Sequence, residues 1–199
     1  MTRLAIIDSG GANIASVQYA LERLGVTGTL TADREVIRTA DRVLLPGVGA
    51  AKDAMRRLRS AGLVEAIRGL KQPVLGICLG MQLLCDGSEE EDVECLGVIP
   101  GTARKLTVAE HFPVPNMGWC RTQKVASHPL LNGLDDGSFF YYVHSYALPV
   151  SASTLATAQH TTEFSAIAGK DNFVAAQFHP ERSSSNGARL LKNFLEIDA

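Results

Sequence analysis

From Leu4 to Ile7 the chain is uniformly apolar, and it then breaks into Asp8-Ser9-Gly10-Gly11, as a buried strand closing in a turn would. From Asn13 the period changes. Ile14, Val17, Leu21 and Leu24 recur at three- and four-residue steps and Gly25 follows as a stop, which predicts an amphipathic helix. The alternation then repeats: Thr27 to Leu30 reads as a strand, Asp33 to Ala40 as a helix, and Arg42 to Pro46 as a third strand. Helix follows through Leu58 and again over Leu63 to Leu70. Pro73 to Ile77 is a fourth strand, with Met81 to Leu84 on the helix behind it.

Strands that are apolar on both sides, alternating with helices, indicate a parallel sheet covered on both faces and connected by right-handed crossovers. Beyond Ser88-Glu-Glu-Glu-Asp92, which reads as an exposed loop, the pattern changes to short β-rich segments separated by Gly and Pro. They lie near Gly97 to Ile99, Arg104 to Thr107, Phe139 to Val143, Thr154 to Ala158, Ser165 to Ala168 and Phe173 to Gln177. Hairpins and antiparallel additions to the sheet are expected there. Ala188 to Ile197 reads as a closing helix with Leu191, Phe194 and Leu195 inward. The fold class is therefore α/β: a mostly parallel, doubly wound sheet with an antiparallel β-rich C-terminal half. No repeat, linker or low-complexity tract divides residues 1–199, so one domain is expected.

Composition narrows the function classes without choosing one. The chain is 199 residues long, 46% hydrophobic and 20% charged, with a formal net charge of −2. That charge gives no electrostatic reason to expect nucleic acid or an anionic membrane as partner. Arg56, Arg57 and Arg59 fit a solvated helix face. No apolar run approaches the ~20 residues needed to span a bilayer, and no secretory pattern opens the chain, so a cytoplasmic location is expected. Cys78, Cys85, Cys95 and Cys120 form no C-x-x-C pair, and the five histidines form no H-x₃-H pair. Free thiols are expected, and neither a metal site nor a cofactor.

In open parallel sheets the working site lies outside the carboxyl ends of the strands, where Cys78 and the Pro46-Gly47-Val48-Gly49 turn both fall. Val74-Leu-Gly-Ile-Cys-Leu-Gly80 carries G-x-C-x-G between a strand and a helix, the thiol form of a nucleophile elbow. The tight turn strains the backbone at Cys78, and Gly76 and Gly80 let neighbouring chain pass close by. The helix dipole that follows favours a thiolate, and the Leu79 N–H can bind an oxyanion. Taken alone, Cys78 also fits a small buried hydrophobe. A thiol nucleophile needs a base and the base an orienter. Gln177-Phe178-His179-Pro180-Glu181 supplies both, and an extended backbone would turn His179 and Glu181 to the same side. The Gly47-Val48-Gly49 turn is the natural source of a second oxyanion donor.

Three segments, Pro46-Gly-Val-Gly49, Gly76-Ile-Cys-Leu-Gly-Met-Gln82 and Phe178-His-Pro-Glu-Arg182, resemble the signatures of the class I (triad) glutamine amidotransferases. Asn116-Met-Gly-Trp119, Tyr141-Tyr-Val-His-Ser-Tyr146 and Ala12-Asn13-Ile14 narrow the resemblance to the glutaminase subunits of imidazole glycerol phosphate synthases, of histidine biosynthesis. The resemblance runs from about residue 3 to residue 196.

It implies that Cys78 attacks glutamine, that His179 and Glu181 complete a triad, and that Val48 and Leu79 form the oxyanion hole. It also implies that Gly47, Gln82, Ser145 and Tyr146 hold the substrate. Asn13, Trp119, Tyr141 and His144 match positions near a (β/α)₈-barrel cyclase subunit that receives the ammonia. Position 116 departs from the family's usual His, and Ser183-Ser184-Ser185 replaces a more Gly-rich stretch. Other glutaminases that share the triad, serving pyridoxal phosphate or anthranilate synthesis, and γ-glutamyl hydrolases fit the Met-Gly-Trp and His-Ser-Tyr segments less well. A catalytically silent docking subunit would be expected to have lost Cys78, His179 or Glu181, and all three are present.

Overall fold

The computed structural model describes residues 2–10 and 14–197. Its first half alternates as the periodicity requires: β1 (Leu4–Ile7), α1 (Ile14–Glu22), β2 (Gly28–Thr31), α2 (Arg34–Thr39), β3 (Arg42–Gly47), α3 (Ala51–Ser60), α4 (Val64–Arg68), β4 (Val74–Cys78) and α5 (Leu79–Leu84). Asp33 caps α2, its Oδ1 accepting from the backbone N–H of Glu35 at 2.7 Å and of Val36 at 3.2 Å. The second half adds β5 (Gly87–Ser88), β6 (Val93–Glu94), β7 (Thr102–Lys105), β8 (Asn116–Lys124), β9 (Ser138–His144), β10 (Tyr146–Ala147), β11 (Thr154–Gln159), β12 (Glu163–Lys170), β13 (Phe173–Ala176) and α6 (Ser184–Glu196).

A nine-stranded sheet runs β2-β1-β3-β4-β13-β12-β11-β8-β9, and a small second sheet runs β10-β7-β5-β6. β2, β1, β3, β4 and β13 are mutually parallel; β12, β11, β8 and β9 continue the sheet antiparallel. The uniformly apolar strands have a simple physical origin. Leu4, Ile6, Leu44, Leu75 and Ile77 point to one face, under Val17, Leu21, Leu190, Leu191 and Phe194 of α1 and α6. Ala5, Ile7, Val43, Leu45 and Val74 point to the other, under Ile37, Met55, Leu58 and Ile67 of α2, α3 and α4. No helix among the described residues is long and apolar enough to cross a membrane.

Four details differ from expectation. Gly97 to Ile99 is not a strand. The N–H groups of Leu96, Gly97, Val98 and Ile99 instead turn back onto the carbonyls of Leu83, Leu84 and Cys85, satisfying the C-terminal end of α5. Only Glu89 to Asp92 of the expected loop is a turn, because Ser88 is buried in β5 at the base of the β5–β6 hairpin. α6 starts at Ser184, before Ala188, through a Ser-Ser-Asn-Gly turn of weak helix formers that carries no apolar period. The nine-residue β8 gave no strand signal because its alternation is inverted: Asn116 and Thr122 are buried, while Met117 and Trp119 are 64% and 52% exposed.

Candidate active site

Three neighbouring parallel strands end side by side. Gly47 at the end of β3 is the register partner of Cys78 at the end of β4, and Ala176 at the end of β13 pairs with Ile77. The sheet alone therefore brings the glycine turn, the thiol and the Gln177–Glu181 segment to one edge. Cys78 sits at φ 54°, ψ −109°, an unfavourable backbone held by its surroundings. The flanking glycines are required sterically. A Cβ on Gly80 would lie 1.7 Å from the carbonyl oxygen of Leu45, and one on Gly76 would lie 2.8 Å from that of Gly80.

Cys78 is 7% exposed. Its thiol points toward the Val143 carbonyl at 3.7 Å, and the Gln177 side-chain amide donates to the sulfur at 3.9 Å. His179 Nδ1 bonds Glu181 Oε1 at 2.8 Å, leaving Nε2 as the nitrogen for the Cys78 thiol, which is close enough to raise the proton affinity of the ring. Sulfur, imidazole and carboxylate are thus one connected chain. The route differs from the expected strand alternation. His179 is extended, but Pro180–Arg182 is a 3₁₀ turn, and it is this turn that swings Glu181 back under the imidazole.

Burial lowers the proton affinity of His179, but the hydrogen bonds and charges of Cys78 and Glu181 outweigh it and raise the pKa from 6.5 to about 10. A value raised on folding contributes stability that is complete below the unfolded value, about pH 6.5, and is lost as the pH climbs toward 10. Glu181→Gln removes one of the two charges, so its stability is expected to fall less between about pH 6.5 and about pH 9.5 than that of the parent. Urea midpoints at both pH values measure this, and equal falls would contradict it. The other thiols are poor nucleophiles: burial raises Cys85 and Cys120 and takes Cys95 to about 11.

A cleft of about 260 Å³ opens on Cys78 and His179. Val48, Leu79, Gln82, Ser145 and Tyr146 line it, as do residues that sequence reasoning did not single out, notably Glu90 and Pro115. Gly47 lies just outside, facing a smaller cavity shared with Val48, His179 and Glu181. Gln82 is 5% exposed, and its amide donates to the Tyr146 carbonyl at 3.1 Å and to Gln177 Oε1 at 3.3 Å. Gln177 was also missed; its place directly before Phe178-His179 was the one signal available. Leu79 opens α5, where the first N–H groups have no intrahelical acceptor and can receive an anion. The cleft can therefore hold a small polar amide against a thiol, with a base on one side and backbone donors on the other.

Trp119 and Tyr141 meet on the outer face of β8–β9, with ring centroids 6.0 Å apart, and the Arg182 guanidinium sits 5.6 Å from the Tyr141 ring. His144 does not share that face. Phe140, Tyr142 and His144 point inward along β9, and His144 is 5% exposed and lines the cleft. Its Nδ1 bonds the Tyr146 carbonyl at 2.9 Å and its Nε2 the Asn116 amide at 3.0 Å. Burial, partly offset by the Tyr146 bond, lowers its pKa to about 4, so it is neutral, with Nδ1 the donor. Asn116 thus supplies the buried hydrogen bond this imidazole requires. Asn13 lies outside the described residues.

The family model for glutamine amidotransferase class-I matches residues 5–197. A protein of Xylella fastidiosa (strain Temecula1 / ATCC 700964) named imidazole glycerol phosphate synthase subunit HisH is 51% identical over 199 residues, covering 100% of both chains. Its namesake in Xanthomonas axonopodis pv. citri (strain 306) is 52% identical over 197 residues, covering 99% of this chain and 98% of the other. Among solved structures, a crystal structure of a glutamine amidotransferase matches with a TM-score of 0.74 at 17% identity over 97% of each chain. Another, from Thermotoga maritima, gives 0.66 at 18% identity, covering 98% of this chain and 83% of the other. The solved structures carry the fold, and the family model and the full-length relatives establish that the chain belongs to the class I glutamine amidotransferases.

Proposed function

We propose that the chain, as one domain over residues 1–199, hydrolyses L-glutamine to glutamate and ammonia as the glutaminase subunit of an imidazole glycerol phosphate synthase in histidine biosynthesis. The observation that carries the chemistry is the Cys78–His179–Glu181 chain at the mouth of the cleft, with its 2.8 Å imidazole–carboxylate bond. The full-length similarity to subunits of that synthase carries the pathway.

Glutamine enters with its side-chain amide toward Cys78, held by Gln82, Ser145, Tyr146 and the backbone at Gly47. His179 takes the Cys78 thiol proton and the sulfur attacks the amide carbon, while the N–H groups of Val48 and Leu79 receive the oxyanion. His179 gives its proton to the leaving nitrogen, so ammonia departs and a γ-glutamyl thioester remains. The same imidazole then takes a proton from water, the hydroxide attacks the thioester, and glutamate leaves with the Cys78 thiol restored. Glu181 holds the imidazole tautomer throughout. Side chains, backbone donors and water suffice for this cycle.

The exposed Trp119 and the half-buried Tyr141 form an aromatic pair on the outer face of β8–β9, the composition expected of a docking surface. In this reading it meets, with Asn13 and with His144 behind it, a (β/α)₈-barrel cyclase that consumes the ammonia. Free ammonia in water near neutral pH is mostly ammonium and a poor nucleophile, so delivery across an interface has a chemical advantage. Glutamine turnover by the isolated chain is expected to be slow, and addition of the cyclase with its ligand is expected to raise it at least about 100-fold, as completion of a site on closure does. A coupled glutamate assay with and without the cyclase checks this. Equal, fast turnover in both would defeat the gating, and failure of the two proteins to co-purify would defeat the assignment to this synthase.

A further inference from the structure

The imidazole is held by more than its carboxylate. Strand β9 is an edge of the nine-stranded sheet, and on its free side the peptide of Tyr141 needs a donor and an acceptor. The segment after β13 supplies both. The His179 N–H donates to the Tyr141 carbonyl at 2.9 Å, and the Tyr141 N–H donates to Ser183 Oγ at 2.9 Å. The Ser183 hydroxyl then donates to the His179 carbonyl at 2.7 Å. These three bonds close a ring that fixes the N–H and the C=O of His179 together, and so both peptide planes flanking its Cα. The Ser183 hydroxyl is the one side-chain member, and the residue is 1% exposed. It uses its single proton and an oxygen lone pair, and a side chain without a hydroxyl offers neither.

We propose that Ser183 is a positioning residue for the glutaminase reaction, clamping the backbone of His179 to Tyr141 so that the imidazole stays aligned between Cys78 and Glu181. This rests on the function proposed above. With the hydroxyl removed, the part-buried Tyr141 N–H loses its acceptor and the His179 carbonyl keeps only the Arg182 N–H at 3.0 Å, a bond local to the 3₁₀ turn that does not reach strand β9, so the segment relaxes away from the strand. Substrate contacts made by Gln82, Ser145 and Tyr146 are untouched by that movement. Proton transfer at His179 is not, because a misplacement of about 1 Å in a reacting geometry costs on the order of 100-fold in rate. The clamp also ties the imidazole to the strand whose outer face carries the Tyr141 ring, so displacement of that strand is carried into the site.

The test compares Ser183→Ala, Ser183→Thr and Ser183→Val in the complex with the cyclase, reading kcat and KM for glutamine, ammonia-dependent synthesis and the melting midpoint. Thr and Val have nearly the same shape and differ by the hydroxyl, so this pair removes packing from the comparison even if the Ala variant folds poorly. Ser183→Ala and Ser183→Val are expected to lose about 10- to 100-fold in kcat with KM within about twofold, ammonia-dependent synthesis being retained. Ser183→Thr is expected to stay at least about tenfold above Ser183→Val. Equal kcat in the Thr and Val variants overturns the clamp while leaving the proposed function standing. A parent complex that does not hydrolyse glutamine overturns the proposed function and the clamp with it.

Discussion

Cys78→Ala is expected to abolish glutamine-dependent synthesis, lowering it by roughly 10⁴- to 10⁶-fold, while synthesis from added ammonia by the same complex persists. Losing the nucleophile removes the thioester route altogether, and neither His179 nor the backbone donors can replace the covalent step. The fold should tolerate the change. The side chain is small, its neighbours at the sulfur are a carbonyl 3.7 Å away and an amide 3.9 Å away, and Ala places no new atom in the cleft. The two readouts separate the proposed roles, since ammonia supplied from solution bypasses Cys78 but still needs a correctly docked partner. Loss of both activities in a folded variant would mean that Cys78 serves the architecture, and the triad reading would fail. A γ-glutamyl electrophile gives a third measurement. It should modify the parent at Cys78 and leave the buried Cys85 and Cys95, whose thiols are raised by burial, unreacted.

The proposed triad was legible in the sequence because each member sits where local pattern and chemistry coincide. An apolar strand ends at Cys78 between two glycines, and another ends just before Gln177. Side-by-side strand ends then follow from the parallel topology, which continuous apolar runs announce. What stayed hidden depended on partners distant in sequence. Gly97 to Ile99 is apolar enough for a strand, yet its N–H groups are used by the last carbonyls of α5. β8 puts Met117 and Trp119 outward and Asn116 inward, so a reading that places apolar residues in the core inverts it. The buried Asn116 becomes intelligible only beside His144, 28 positions later, whose neutral ring requires its amide. Ser183 reads as a polar loop residue until strand β9 is laid against it. The His-Pro-Glu pairing was legible in outcome and not in route: two residues of extended chain and one 3₁₀ turn deliver the same contact, and only coordinates distinguish them.

Gly80→Ala is expected to be among the most destructive single methyls at the described glycines, costing more than about 4 kcal/mol and leaving little folded chain, since natural stabilities are about 5–15 kcal/mol. The added carbon would stand 1.7 Å from the Leu45 carbonyl oxygen and 2.9 Å from its carbonyl carbon, both backbone atoms of strand β3 that no rotamer change can move. Two comparisons grade the effect. Gly76→Ala meets the Gly80 carbonyl oxygen at 2.8 Å, a contact that a small shift of α5 can relieve, and should cost less. Gly49→Ala meets nothing within 4 Å but holds φ at +92°, so its cost should be that of backbone strain alone, about 1–2 kcal/mol. Urea unfolding of the three variants followed by circular dichroism gives the order directly, and a Gly80→Ala midpoint close to the parent would contradict the close approach. The same contact explains why relief without function is the alternative fate of that variant. Leu45 lies two residues before Gly47, and Gly47 is the register partner of Cys78, so pushing β3 away from α5 separates the proposed oxyanion turn from the proposed nucleophile. A Gly80→Ala chain that does fold is therefore expected to lose glutamine turnover as well, because the strand that must yield is the one that carries half of the site.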